Sequence, residues 1–105
     1  MKCAGSEAAS FEIVAEERAL VRGELGFLTV TALLPAGSEA IEQGRVAAID
    51  LSGVTASDSA GLALLIEWLS IAKAGQHPLR YENLPSQLMQ LAVLSEVEEL
   101  LVPAH

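Results

Sequence analysis

Hydrophobic and polar positions alternate with a two-residue period in some segments of this chain and with a helical period in others. Residues 11–15 and 19–25 alternate as half-buried strands do, and the two glutamates between them predict a hairpin turn. Residues 46–51 form an almost continuous apolar run, which is typical of a strand covered on both faces. Residues 79–83, which follow a proline, predict a fourth strand.

The segment between the second and third strands predicts a first helix. Gly26 ends the second strand, and the apolar residues that follow it are interrupted by two threonines. Pro35 is suited to the first turn of a helix, because its ring fixes a helical φ and its missing N–H is not needed there. We expect this helix to run from Pro35 to about residue 43 and to end at Gly44.

The strongest helical pattern follows the third strand. Residues 52–57 predict a loop, and residues 59–74, closed by Gly75, predict an amphipathic helix. Two further helices are predicted over residues 85–94 and 96–101. The element order β-β-α-β-α-β-α-α indicates an α/β fold, with a small mixed, mainly parallel sheet of about four strands packed with helices.

The length and composition of the chain fit one domain. It has 105 residues, and 51% of them are hydrophobic, which is enough for a core. We expect residues 1–9 to be a flexible lead-in and residues 10–105 to form the domain. No apolar run is long enough to span a bilayer, and the N-terminus lacks the apolar core of a signal peptide. We therefore expect a cytoplasmic protein that does not insert into a membrane.

The charge balance narrows the class of partner. The formal net charge is −8 and the pI is near 4.5. Nucleic acids and anionic membrane surfaces attract clusters of Lys and Arg, so neither is an expected partner. The net negative charge is compatible with binding to a basic or neutral protein surface.

Catalytic or metal chemistry is not predicted. Cys3 has no partner for a disulfide or a metal site, and His77 and His105 are near no plausible nucleophile in the sequence. Neither a phosphate-binding loop nor a dinucleotide glycine pattern is present. Asp50 and Asp58 could be imagined as a metal pair, but an aspartate at a strand end more commonly hydrogen-bonds a neighbouring loop. We predict no enzymatic activity, no cofactor and no metal.

The helix over residues 59–74 is apolar on two sides. The side expected to face the sheet carries Leu62, Leu65, Ile66 and Leu69. The opposite side carries Ala60, Leu64 and Ile71, with Trp68 at its flank. Other elements, such as the C-terminal helices, could cover this outer side, or it could bind a partner protein, since exposed apolar patches tend to mark interfaces. We favour the partner-binding interpretation.

The N-terminus of the same helix is the segment of the chain whose polar groups most clearly indicate a functional site. Unpaired backbone N–H groups and the positive end of the helix dipole meet there. The hydroxyl of Ser59 can cap the helix, accept a phosphate or contact a partner, and Asp58 can share the capping role. Gly61 in the first turn lowers helix stability by roughly 1 kcal/mol relative to alanine, but it lets another backbone approach the helix start.

Two motifs in this region resemble a known family. Residues 49–54, Ile-Asp-Leu-Ser-Gly-Val, and residues 58–62, Asp-Ser-Ala-Gly-Leu, are similar to the core signature of STAS domains, and the resemblance covers about residues 10–101. That family includes anti-sigma-factor antagonists, the cytoplasmic tails of sulfate transporters and subunits of lipid-transport ABC systems. In the bacterial antagonists, the hydroxyl residue after the motif aspartate is phosphorylated, and that position here is Ser59.

Within this family, the chain most resembles the STAS subunits of Mla-type phospholipid-transport ABC complexes. Residues 61–65, Gly-Leu-Ala-Leu-Leu, are similar to the helix opening of that group, and residues 81–95 are similar to its last strand and helix. Ser59 stands where that group commonly has a threonine, and serine keeps the hydroxyl.

This resemblance implies a non-enzymatic accessory subunit. Such a subunit binds the cytoplasmic ATPase of the transporter and, through it, an inner-membrane permease, and it supports the maintenance of outer-membrane lipid asymmetry. The alternative is an anti-sigma-factor antagonist in a partner-switching cascade that is controlled by phosphorylation of Ser59. The residues expected to bind the partner are Asp58, Ser59, Ala60, Gly61, Leu64, Glu67, Trp68 and Ile71.

Overall fold

Eight elements follow one another in the predicted order. The computed structural model describes residues 9–101, apart from the side chain of Glu98. The strands are β1 (Ala9–Ala15), β2 (Glu17–Leu25), β3 (Val46–Ser57) and β4 (Arg80–Glu82), and the helices are α1 (Val30–Glu42), α2 (Ser59–Ala74), α3 (Ser86–Leu94) and α4 (Glu98–Leu101). The predicted lead-in up to residue 8, with Cys3, and the terminal His105 lie outside the described residues.

The four strands form one mixed sheet in the order β1-β2-β3-β4. β1 and β2 pair antiparallel as a hairpin, whereas β2 pairs parallel with β3, and β3 pairs parallel with β4. α1 and α2 connect the parallel pairs, and right-handed crossovers that step in one direction across a sheet place their helices on the same face. The prediction of an α/β fold with a mixed, mainly parallel sheet is confirmed.

The start of α1 differs from the prediction. Pro35 does not open this helix, because the helix begins at Val30 and Pro35 lies inside it. The Thr29 hydroxyl accepts a hydrogen bond from the Gly26 N–H at 2.9 Å and donates one to the Glu24 carbonyl at 2.8 Å. The N–H groups of Thr29 and Val30 both donate to the Gly26 carbonyl. A turn stabilised by a side chain therefore starts the helix.

Strand β3 continues through residues 52–57, which the pattern predicts to be a loop. It ends at Ser57, because β2 is long enough to pair with it up to Leu25, which lies opposite Ser57. The pairing of β2 with β3 changes register at three points, and these irregularities accommodate the polar and small residues that resemble a loop in the sequence. The loop prediction is wrong, and β3 leads directly through Asp58 into α2.

The remaining boundaries differ by only a few residues. β1 already includes Ala9, which the sequence places in the lead-in. β4 is shorter than predicted, and α4 begins at Glu98 because Glu96 has a φ of 61°, a left-handed conformation that interrupts the helix. Among the residues from 9 to 101, no helix combines the length and apolar character that a membrane span requires.

Trp68 joins α1, α2 and the sheet. Its side chain is fully buried, and its ring lies 5.7 Å from the ring of Phe11 in β1, measured between centroids. The indole also lies directly on Gly37 of α1, and its N–H donates a hydrogen bond to the Leu34 carbonyl at 3.2 Å. This one side chain therefore holds α1 against α2 and both helices against the hairpin.

Tyr81 of β4 holds α2 from the other edge of the sheet. Its hydroxyl donates a hydrogen bond to the Leu65 carbonyl at 2.6 Å. Burial raises the pKa of this hydroxyl well above its usual value, because the charged form would lose its hydration. With Trp68 on one side and Tyr81 on the other, the middle of α2 has a defined position relative to the sheet.

We expect Gly37→Ala to destabilise the protein, although alanine is the better helix former. Helix propensity alone would raise the free energy of unfolding by about 1 kcal/mol. A Cβ at position 37 would collide with the Trp68 indole, and such overpacking lowers the free energy of unfolding by about 1–3 kcal/mol. Urea unfolding followed by Trp68 fluorescence measures the difference.

Glu39→Ala is the control for this substitution, because Glu39 is exposed on the same helix and its replacement tests propensity without packing. We expect Glu39→Ala to leave the free energy of unfolding within about 0.5 kcal/mol of the wild type. A Gly37→Ala protein at least as stable as the wild type would contradict the packing of Trp68 on α1.

Candidate functional site

Asp58 is the N-cap of α2, and Ser59 is its first helical residue. The Asp58 backbone is extended, and its carboxylate accepts hydrogen bonds from the N–H groups of Ala60 at 2.8 Å and Gly61 at 3.4 Å. Of the two capping residues considered from the sequence, the cap is therefore Asp58. Ser59 is exposed, and within residues 9–101 no hydrogen bond engages its hydroxyl, so this hydroxyl is free to contact another molecule.

Gly61 allows a close backbone approach, as its position in the sequence indicates. A Cβ at this position would lie 2.8 Å from both the Cβ and the carbonyl oxygen of Leu25, and it would also collide with the Ser57 hydroxyl. The Leu25 carbonyl accepts a hydrogen bond from the Asp58 N–H at 3.1 Å. The approaching backbone thus belongs to β2 of the same chain and not to a partner. The end of β2 is placed directly beside the start of α2.

This contact positions two residues that the sequence analysis missed. Phe27 is 79% exposed and Leu28 is 87% exposed, although both are large and apolar. They occupy the turn between β2 and α1, which the buried Thr29 anchors. The one signal in the sequence is that these two residues directly follow Gly26, the residue that ends a strand, where polar turn residues are more usual.

Two shallow depressions lie beside the start of α2, one reaching Asp58 and the other beginning at Ala60. One is lined by residues 24–29 and 56–58, and the other lies between α1 and α2. Phe27 lines both depressions. We call the exposed and half-buried residues here the Ser59 surface: Phe27, Leu28, Leu34, Asp58, Ser59, Ala60, Ala63 and Glu67.

The structure corrects the expected apolar outer side of α2. Leu64 is 4% exposed, and Trp68 and Gly61 are also buried, so none of these three residues presents an open face. Helix α1 covers Trp68, and Leu25 of β2 lies against Gly61, whereas the sequence pointed to the C-terminal helices as the alternative cover. Ile71 is half-buried. The role in partner binding remains a prediction for Asp58, Ser59, Ala60, Glu67 and Ile71.

The Ser59 surface is acidic as well as apolar. Asp58 precedes Ser59, Glu67 lies about two helical turns further along α2, and Glu24 lines the same depression as Leu28. Neither depression is lined by a Lys or an Arg. A complementary surface would therefore carry apolar side chains together with hydrogen-bond donors or cations.

Asp50 and Asp58 do not form a metal pair. Asp50 accepts hydrogen bonds from the Ser52 N–H at 2.9 Å and from the Asn83 side chain at 3.0 Å. These bonds hold the pKa of Asp50 below its usual value. At about 3.3 Å per strand residue, Asp58 lies on the order of 20 Å away. Asp50 thus hydrogen-bonds a neighbouring loop, as expected, although it lies within β3 and not at its end.

Comparison with known protein families identifies the family of this chain. The family model described as "Mlab, STAS domain" matches residues 14–103, which is most of the chain. The chain belongs to the STAS domain family. No curated protein matches this STAS domain.

Two solved structures share the fold of this STAS domain. One is the anti-sigma factor antagonist SpoIIAA in its unphosphorylated form, with a TM-score of 0.69 and 24% identity over 93% of this chain and 89% of that chain. The other is the Bacillus cell fate determinant SpoIIAA in its phosphorylated form, with a TM-score of 0.67 and 24% identity over 93% of this chain and 92% of that chain. At this level of identity, the similarity establishes the fold.

The assignment of the cap makes a prediction about the stability of the STAS domain. Asp58→Ala should lower the free energy of unfolding by about 0.5–2 kcal/mol, because the N–H groups of Ala60 and Gly61 lose their acceptor. Ser59→Ala should change it by less than about 0.5 kcal/mol, because the Ser59 hydroxyl is exposed and does not cap the helix. Urea unfolding measures both values.

Asp58→Asn serves as the matched control, since asparagine caps helices about as well as aspartate. It should retain most of the stability that Asp58→Ala loses. If Ser59→Ala were more damaging than Asp58→Ala, the capping role would belong to Ser59 instead.

Proposed function

We propose that this STAS domain is the non-enzymatic accessory subunit of an Mla-type phospholipid-transport ABC complex. It binds the cytoplasmic ATPase subunit through the Ser59 surface and supports the assembly or activity of the transporter. The match to the family described as "Mlab, STAS domain" supports the choice of system. Through the ATPase, the subunit is associated with an inner-membrane permease and lies at the cytoplasmic side of that membrane.

One observation carries this proposal: two large, exposed apolar side chains lie beside an exposed hydroxyl at a helix start. Phe27 and Leu28 leave most of their surface in water, which is unfavourable for an isolated protein. Full burial of such a side chain stabilises a complex by about 1.5–3 kcal/mol. Because Thr29 and Gly61 fix the turn that carries them, little conformational entropy is lost when a partner covers these two residues.

The polar groups of the same surface would determine which partner fits. The Ser59 hydroxyl can donate and accept a hydrogen bond on this surface. Asp58 and Glu67 favour a partner that presents Lys, Arg or backbone N–H groups, and they disfavour an acidic partner. On this account, the apolar pair supplies most of the affinity and the polar groups supply the specificity.

The first test of this proposal uses the apolar pair. Phe27→Ser and Leu28→Ser should each weaken binding to the ATPase subunit at least about tenfold, because each removes an apolar contact near the centre of the interface. Both residues are exposed, so the melting temperature should remain within a few degrees of the wild type. Calorimetric titration with the Mla-type ATPase subunit of the same organism measures the affinity.

Val14→Ser is the matched control, because Val14 is also a large exposed apolar residue, 48% exposed, but lies on β1 away from the Ser59 surface. We expect this variant to bind the ATPase as the wild type does. An equal loss of affinity for Val14→Ser, or full affinity for Phe27→Ser and Leu28→Ser, would refute the assigned surface.

Substitutions of Ser59 test the polar part of the same surface. Ser59→Glu places a charge at a helix start, where the dipole tolerates it, so the melting temperature should change by only a few degrees. In a closed interface the added carboxylate would be desolvated beside Asp58, so ATPase binding should be lost. Ser59→Thr keeps the hydroxyl and should bind normally. Wild-type affinity of Ser59→Glu would exclude Ser59 from the interface.

A second candidate function rests on the exposure of the Ser59 hydroxyl. A hydroxyl that is accessible and free of internal hydrogen bonds can be phosphorylated by a kinase, and SpoIIAA, which shares the fold, has a phosphorylated form. In that case, the protein would be an anti-sigma-factor antagonist whose partner depends on phosphorylation. Affinity purification from the native cells distinguishes the two functions. Recovery of an ATPase and a permease supports the transporter subunit, whereas recovery of a serine kinase and a sigma factor supports the antagonist.

A further inference from the structure

A second exposed apolar surface lies on α3. Leu94 is 81% exposed and Val93 is 53% exposed, and together with Met89 and Gln90 they line a shallow depression on this helix. We call these four residues the α3 surface. The opposite side of the helix is anchored by Leu88 and Ala92, which are fully buried, so the exposure is a property of a helix that is well packed on its inner side.

The α3 surface is distinct from the Ser59 surface. The first turn of α3 contacts the end of β3, where the Gln87 side chain accepts a hydrogen bond from the Ser57 N–H at 2.9 Å. Val93 and Leu94 lie on the order of 10 Å further along the helix axis, at about 1.5 Å per residue. The depressions that define the two surfaces share no lining residue. A partner could therefore occupy the α3 surface while the Ser59 surface is engaged.

The charges around the α3 surface restrict what can bind there. Glu96 and Glu99 follow α3 and are exposed, and the sequence from residue 81 to residue 105 contains no Lys or Arg. A second copy of this chain would bring one acidic rim against another, and an anionic lipid surface would be repelled. The arrangement fits an apolar partner surface with a basic rim.

We propose that the α3 surface docks an amphipathic helix of a partner protein, with an apolar face on Val93 and Leu94 and with Lys or Arg residues facing Glu96 and Glu99. Met89 and Val93 form one i, i+4 ridge of α3, and Gln90 and Leu94 form the next, so that a shallow groove runs between them. Ridges of a second helix pack into such a groove. This inference does not depend on the proposed binding of an ATPase.

The probe for this site is a synthetic amphipathic helix with leucines on one face and lysines on the other. Titration of this peptide into the isotope-labelled protein, followed by NMR, maps the amides that it perturbs. We expect perturbations over α3 and α4, but not at residues 27–28 or 59–63 of the Ser59 surface. Val93→Gln and Leu94→Gln should each weaken binding of the peptide about tenfold, whereas Leu28→Gln, at an equally exposed position on the Ser59 surface, should have no effect.

A second peptide tests the role of charge, because its lysines are replaced by glutamates while the leucine face is kept. It should not bind measurably. The inference fails if the lysine peptide perturbs the Ser59 surface instead of α3, if both peptides bind equally, or if the Leu94→Gln protein binds as the wild type does. It also fails if sedimentation shows a dimer of this chain that Leu94→Gln dissociates, since a second copy would then be the occupant.

Discussion

The close approach of Gly61 to Leu25 is the constraint on which the site depends. Only a residue without a Cβ lets the first turn of α2 lie against the end of β2, where the Leu25 carbonyl also accepts the Asp58 N–H. The turn that follows Leu25 is thereby held beside Ser59. Two elements that are distant in the sequence then contribute to one surface, with the apolar side chains coming from the β2–α1 turn and the hydroxyl from the helix start. The helix propensity lost at Gly61 is offset by this assembly.

Trp68 fixes the position of α1 against α2 at the same surface. Because the indole lies on Gly37 and bonds the Leu34 carbonyl, α1 cannot move away from α2 without exposing the largest buried side chain of the protein. Ala60 and Ala63 of α2 then face the first turns of α1 across a shallow depression. The exposed residues are thus supported by a rigid interior, and this rigidity makes an exposed Phe27 and Leu28 available for binding at little entropic cost.

Much of the fold could be predicted from the sequence, because element type follows from local period. The four strands, the order of elements and the span of α2 agree with the hydrophobic pattern. The sequence-based predictions are wrong where tertiary contacts determine the conformation or the burial of a residue. Residues 52–57 are polar and small like a loop, yet they pair with β2 through register shifts. Leu64 lies on the outer side of an isolated helix but is buried in the folded protein, where it lies beside residues of α1. Phe27 and Leu28 belong to an apolar stretch of the sequence, and their exposure follows from the turn that Thr29 closes.

The central claim is that the Ser59 surface contacts an ABC-type ATPase. Photo-crosslinking in the native cells tests it directly, with a benzophenone amino acid placed at Leu28 and, as the control, at Val14, since both positions are exposed and tolerate substitution. We predict that position 28 crosslinks to the ATPase subunit and that position 14 does not. Crosslinking of position 28 to a kinase or another regulatory protein, or crosslinking of the ATPase to position 14 alone, would contradict it.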